Sequence, residues 1–213
     1  MRTPRPISRL WSLAGLALLL ALWEWGHRAY GALVLPGVAE TARALAAMFR
    51  DGQLAPALAE TAEHAVAGWL AGAGVGLTTG TLAGLSERLR AALQPVAVVF
   101  LGVPAIAWVV MALLWFGGGW AVVFTIAVAT GPLVFAAAVA GLRSLDGGLV
   151  RMAEVYRVPL GARLVHMHAP HMAAQVFPVL ASTMALSWKV AVMAELLAGA
   201  GGIGAGLAGA RAR

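Results

Sequence analysis

Long apolar runs separated by short charged segments set the pattern of the chain. Five runs, about 10–30, 64–85, 95–116, 120–142 and 173–197, reach the length of about 20 residues that crosses a hydrocarbon layer roughly 30 Å thick. None alternates with period two. Backbone groups in lipid must be satisfied within helices or a closed barrel, so these runs predict helices. The expected fold is all-α: a polytopic transmembrane bundle of about five spans, read as one membrane domain over residues 1–213. Between the first two spans, Val38, Ala42, Leu45 and Phe49 recur at helical spacing. They predict a short amphipathic helix on the membrane surface, set off by Leu35-Pro36-Gly37. Gly117-Gly118-Gly119 predicts a tight turn between the third and fourth spans. Gly72, Gly76, Gly80 and Gly84, at four-residue spacing, predict a smooth ridge that a neighbouring helix can approach closely.

Composition agrees. Charged residues make up 11% of the chain, against about 25% in a soluble domain. The net charge of +6 comes from fourteen Arg and the single Lys189. The arginines cluster between spans: Arg2, Arg5 and Arg9; Arg88 and Arg90; then Arg143, Arg151, Arg157 and Arg163. Basic segments resist translocation, so these three regions are expected in the cytoplasm, with the N-terminus. Topology alone thus explains the basic surplus, with no nucleic-acid partner. The Gly/Ala-rich tail, 198–213, falls outside by the same alternation. A basic start before an apolar run also fits a secretory signal. Its continuation to Trp23 and Trp25 favours an uncleaved first helix.

Several chemistries are excluded. The chain has no cysteine, so thiol catalysis and iron–sulfur ligation are ruled out. No Gly-rich loop precedes a Lys-Ser/Thr pair, so ATP is not bound here by a P-loop. His64, His166, His168 and His171 lack metal-ligand spacing, and no metal or other cofactor is expected. Ser182 and Ser187 lie in the fifth span, where no histidine could activate them. The chain therefore reads as a non-enzyme.

The unusual intramembrane pair is Lys189 and Glu195. A charge at mid-bilayer costs at least about 2.5–3.5 kcal/mol on insertion scales, so such groups usually face protein or water. Two readings stand: both line a translocation pathway, or Lys189 bonds neighbouring carbonyls while Glu195 reaches the outer interface. Trp108 and Trp115 are likewise pathway walls or interface anchors.

The segment 143–171 is too long and too patterned for a plain connector. It carries four arginines with Asp146, Glu154 and His166, and Met152, Ala153, Tyr156, Leu160 and Leu164 recur at roughly helical spacing. It reads as a docking surface for a soluble partner.

Residues from about 33 to 211 resemble, in order, the permease subunits of bacterial ABC importers of the nitrate/sulfonate/taurine branch. The resemblance is carried by Leu35-Pro36; by Gly76, Gly80 and Gly84-Leu85-Ser86; and by Gln94-Pro95. Val103-Pro104-Ala105-Ile106-Ala107-Trp108, Leu114-Trp115-Phe116-Gly117, Gly131-Pro132 and Gly141-Leu142-Arg143 follow. Ser187-Trp188-Lys189, Ala194-Glu195-Leu196-Leu197 and Gly202-Ile203-Gly204 complete it. The resemblance implies a multi-pass subunit of the bacterial cytoplasmic (inner) membrane. It also implies a permease homodimer, a separate ATP-binding subunit and a periplasmic or lipid-anchored substrate-binding protein. The solute would be a sulfonate, nitrate, taurine or similar.

It further implies that 143–171 is the coupling loop. Arg151, Ala153, Glu154, Tyr156, Arg157, Gly161 and Pro170 would then meet the ATP-binding subunit. Counted back from Pro170 without gaps, Arg157 occupies the family's glycine position and Arg151 its glutamate position. Family members carry one more membrane helix after the Gly-x-Gly segment, so the expected bundle resembles a permease lacking its last helix. The rival expectation is a truncated, non-transporting permease remnant acting as an assembly or regulatory partner. A proton-driven secondary transporter is a third class, for which only Lys189 and Glu195 could serve as relays.

Overall fold

A computed structural model describes residues 6–31, 34–52 and 54–211. Arg2, Arg5 and Arg213 lie outside the described residues, as do the side chains of Arg9, Leu160, Leu164 and Arg211. Among the described residues the regular structure is helical throughout, without strands. The chain divides into two compact units, Met1–Ala55 and Pro56–Arg213.

The first unit holds α1 (Pro6–Tyr30) and α2 (Val38–Arg50). Two side chains of α1 grip the segment that leads into α2. Trp23 Nε1 donates to the Pro36 carbonyl at 2.9 Å, and His27 Nδ1 donates to that of Leu35 at 2.8 Å. The Glu40 carboxylate then accepts from the Gly37 amide at 3.1 Å, which satisfies an orphan donor at the start of α2. The expected amphipathic helix is α2, with Leu45 and Phe49 exposed on one side.

The second unit is built on α3 (Leu54–Leu85), α4 (Glu87–Gly102), α5 (Ala105–Trp115) and α6 (Gly118–Arg143), followed by α7 (Gly147–Val155) and α8 (Leu160–Arg163). A π-helical turn, Leu164–His168, leads into α9 (Ala169–Ala198), and α10 (Gly202–Arg211) closes the described chain. Among the described residues, three helical runs are long and apolar enough to cross a membrane: Leu54–Leu85, Gly118–Arg143 and Gly161–Ala198. They contain the second, fourth and fifth predicted spans. The third predicted span is not one straight helix. It is the pair α4 and α5, bent by 99°. The reason is local: Val103 takes an extended conformation (φ −82°, ψ 124°) as the residue before Pro104, which disfavours the helical region there. Counting that pair as one span gives four. The first predicted span lies in α1, whose last turn carries His27 and Arg28. The Gly/Ala-rich tail is helical as α10.

The glycine ridge of α3 packs on α6 and extends one step further than the spacing predicts, to Gly68. A Cβ on Gly68 would come within 2.6 Å of Ile126 Cβ, and one on Gly80 within 2.7 Å of the Phe135 carbonyl. Gly72 and Gly76 meet Thr130 Oγ1 and the Gly131 carbonyl even more closely. Apolar attraction between helices is weak in lipid, so this close backbone approach supplies the contact energy. Buried hydroxyls are satisfied within their own helices, Thr125 Oγ1 donating to Ala121 and Thr130 Oγ1 to Ile126, both at 2.8 Å. Between helices, Trp69 Nε1 of α3 donates to Thr183 Oγ1 of α9 at 3.1 Å. A core of Ala65, Val109, Val122, Ile126, Val190, Ala191 and Ala194 joins α3, α5, α6 and α9.

Gly76→Val adds a branched side chain where even a Cβ would overlap the Gly131 carbonyl, and is expected to cost about 3 kcal/mol. Gly74→Ala, which opens onto empty space, is expected to be near neutral. Thermal unfolding of the purified chain in detergent separates the two.

Candidate functional site

Two polar regions stand out, one between spans and one within the bundle. The first is the 143–171 segment, expected as a loop and found to be largely helical. Asp146 caps α7 by accepting from the Gly148 amide at 2.8 Å, placing a negative charge at the positive helix end. The helix ends in a Schellman turn: the Val158 amide donates to the Ala153 carbonyl at 2.9 Å and the Arg157 amide to that of Glu154 at 3.0 Å. Such a turn needs a left-handed residue, usually glycine. Here it is Arg157, with φ 51°, the one non-glycine residue of positive φ among those described. Left-handed backbone costs an L-residue about 1–2 kcal/mol. Pro159 follows and prevents the helix from continuing.

The turn is held from the other side by Arg163, which the sequence placed among the four arginines of this segment without a role of its own. Its Nε donates to the Val158 carbonyl and its Nη2 to the Ala153 carbonyl, each at 3.0 Å. Its Nη1 lies 3.8 Å from the exposed Glu154 carboxylate. A hollow of about 590 Å³ opens between α7 and the start of α9, lined mostly by apolar groups of Leu149, Met152, Ala153, Tyr156, Met167 and Pro170. Tyr156 is 76% exposed and Val155 79%.

Of the residues expected to couple, Ala153, Tyr156 and Pro170 therefore share one hollow, and Glu154 faces Arg163. Arg151, Arg157 and Gly161 are exposed nearby. Leu160 and Leu164 of the expected apolar stripe have side chains outside the described residues.

The second region centres on Glu195, a fully buried carboxyl in α9. Its Oε2 accepts from Thr61 Oγ1 at 2.8 Å and from the Gly204 amide at 3.1 Å, and its Oε1 accepts from His64 Nδ1 at 2.9 Å. Glu60 extends the network by accepting from the Gly202 amide at 2.8 Å, while Thr61 Oγ1 accepts from Ile203 at 2.9 Å. Three consecutive amides at the N-terminus of α10 are thus satisfied by side chains of α3 and α9. The expected pathway residues are not gathered into one contact. Glu195 is committed to this network, and Lys189 is exposed on α9. Trp108 stacks on Phe100 across the α4–α5 bend at 4.9 Å, and Trp115 meets Phe124 edge-on at 5.8 Å. Thr61 and His64 were missed by sequence reasoning; the shared i, i+3 face of α3 was the only signal for them. A separate hollow of about 370 Å³ between α3, α4 and α6 is almost wholly apolar, with Thr79 its one polar side chain. Among the described residues no cluster of His, Asp or Glu is placed to hold a metal ion.

Membrane-spanning helices packed through glycine, with a structured segment between two of the spans, define a multi-pass helical membrane protein. The family described as "Binding-protein-dependent transport system inner membrane component" matches residues 72–212, and the chain belongs to it. It is an ABC importer permease, a multi-pass inner-membrane protein. Among its relatives, SsuC of Bacillus subtilis (strain 168), a permease protein named for aliphatic sulfonates transport, is 27% identical over 191 residues, covering 88% of this chain and 69% of its own length. The taurine transport system permease protein TauC of Escherichia coli (strain K12) is 26% identical over 210 residues, covering 93% of this chain and 76% of its own.

Glu195→Ala leaves the Thr61, His64 and Gly204 donors unpaired and is expected to destabilise the bundle by about 3–5 kcal/mol. Glu195→Gln, which keeps the shape and one acceptor oxygen, is expected to cost less; chemical unfolding in detergent orders the two. Arg157→Gly removes the left-handed penalty and is expected to stabilise α7 by about 1 kcal/mol, seen as slower amide exchange over 153–158.

Proposed function

We propose that this chain is the translocating subunit of an ATP-driven importer that carries a small sulfonate-type anion inward. The single observation that carries the reading is the 143–171 segment: a short capped helix, a fixed turn and an exposed apolar edge, presented between two spans of a chain of this family. An ATP-binding subunit docks there, over Met152, Tyr156 and the adjoining hollow, with Arg151 and Arg157 at its polar rim. The arginine-rich segments and the N-terminus face the cytoplasm, in accord with the positive-inside bias. Two permease copies assemble, and a periplasmic or lipid-anchored binding protein delivers the solute to the outer face. ATP is bound and hydrolysed on the partner chain, since this one has no P-loop. Its closure displaces the docked segment and rocks the spans between two states of access, each favoured by its own contacts. The sulfonate class rests on the names of the two relatives. Lys189, the sole lysine, supplies a positive charge suited to an anion. No cofactor is expected within this chain, ATP being bound by the partner.

The test is purification of the tagged chain in mild detergent, followed by reconstitution into proteoliposomes with its binding protein. An ATP-binding subunit is expected to copurify and to be lost from the Met152→Asp/Tyr156→Asp variant. Taurine or an alkanesulfonate is expected to enter only with ATP present. Docking without ATP-dependent flux would favour a non-transporting assembly partner, and flux that follows a proton gradient would favour a secondary transporter.

A further inference from the structure

The turn that follows α7 contains a contradiction. Its geometry calls for glycine, yet Arg157 occupies it at φ 51°. A residue in left-handed backbone persists only where its surroundings over-determine it. Here the surroundings are a second arginine. Arg163 reaches back over the turn, its guanidinium fork donating to the carbonyls of Ala153 and Val158 at 3.0 Å each. Those two residues are also joined by the turn's own bond, Val158 amide to Ala153 carbonyl at 2.9 Å. The fork therefore spans the same two points from outside the backbone, and the Arg163 side chain is only 19% exposed. Its third nitrogen faces Glu154 on α7 at 3.8 Å. Arg163 itself lies in the helical run Gly161–Ala198, which continues through the π turn into the bundle. One side chain thus links the last turn of α7 to the root of a membrane span.

We infer that Arg163 is a positioning residue for coupling: it locks the Arg157 turn so that α7 and α9 move as one lever. This deepens the proposed function and rests on it. Without the fork, α7 would be tethered through a strained, exposed turn. Motion of the docked subunit would then be absorbed there rather than passed to the span. The planar fork matters more than the charge, because two carbonyls in fixed positions need two directed donors, which an ammonium on a flexible stem supplies poorly.

The test compares wild type with Arg163→Gln, Arg163→Lys and Arg157→Gly/Arg163→Gln. The readouts are amide exchange over 154–158 in the purified chain and solute transported per ATP hydrolysed in the reconstituted complex. In Arg163→Gln, exchange is expected to quicken and transport per ATP to fall by about tenfold, while the ATP-binding subunit still copurifies. Arg163→Lys is expected to behave like Arg163→Gln. Adding Arg157→Gly, which needs no holding, is expected to restore most of the coupling. Wild-type exchange and coupling in Arg163→Gln would overturn the inference. Full coupling in Arg163→Lys would reduce the fork to a charge, and no restoration by glycine would remove the turn as its target; either also overturns it. Exchange is read on this chain alone, so a grip disproved there is distinct from a wild type that fails to transport, which would remove the proposed function and the lever with it.

Discussion

Close backbone contact between α3 and α6 is the constraint on which the rest of the bundle depends. Lipid tails are as apolar as leucine, so burying aliphatic side chains against one another gains little in a membrane. What remains is dispersion between surfaces that fit and hydrogen bonds that water cannot replace. Gly68, Gly72, Gly76 and Gly80 remove every side chain from one face of α3, and α6 sits so near that a methyl group at any of them would overlap it. The same face carries Thr61 and Ala65 toward the helix start, both fully buried. The glycine contact therefore also determines where Thr61 and His64 are held, and so where Glu195 can be satisfied.

Glu195 is the second consequence. A carboxyl with no exposure inside a membrane bundle would be prohibitive alone. It is tolerated because α3 supplies two donors and α10 a third. The exchange is mutual, since the amides at the start of α10 would otherwise be orphans. Gly202 and Gly204 lie directly against the Glu195 side chain, Gly202 within 2.5 Å of it at the position of a Cβ. Larger residues there would displace the helix from its acceptor. The Ala-Glu-Leu-Leu and Gly-Ile-Gly segments, separate motifs in the chain, are thus two halves of one arrangement.

The segment between the fourth and fifth predicted spans obeys different physics. It gains little from burial, and Leu149, Met152, Val155 and Tyr156 are all exposed. Its shape comes from directed bonds: an aspartate cap, a Schellman turn and an arginine fork. A surface held in shape by hydrogen bonds while offering apolar side chains outward is suited to receiving a partner, whereas the spans are suited to receiving each other.

The sequence by itself determined that the chain lives in a membrane, which runs are apolar enough to cross it, and that a glycine ridge lies along α3. These follow from composition and from periodicity within single helices, where the relevant neighbours are three or four residues apart. The motif order likewise made the permease family legible. Tertiary structure alone decided the rest. Pro104 breaks the helix locally, but the 99° angle between α4 and α5 is a property of the folded bundle. The α3 partners of Glu195 stand 131 and 134 residues away, beyond any local pattern. Arg163 looked like its neighbours because charge alone counts them equally; only the folded turn distinguishes the arginine that grips two carbonyls from those that face outward. Periodicity identifies faces, and folding determines which faces and which long side chains meet.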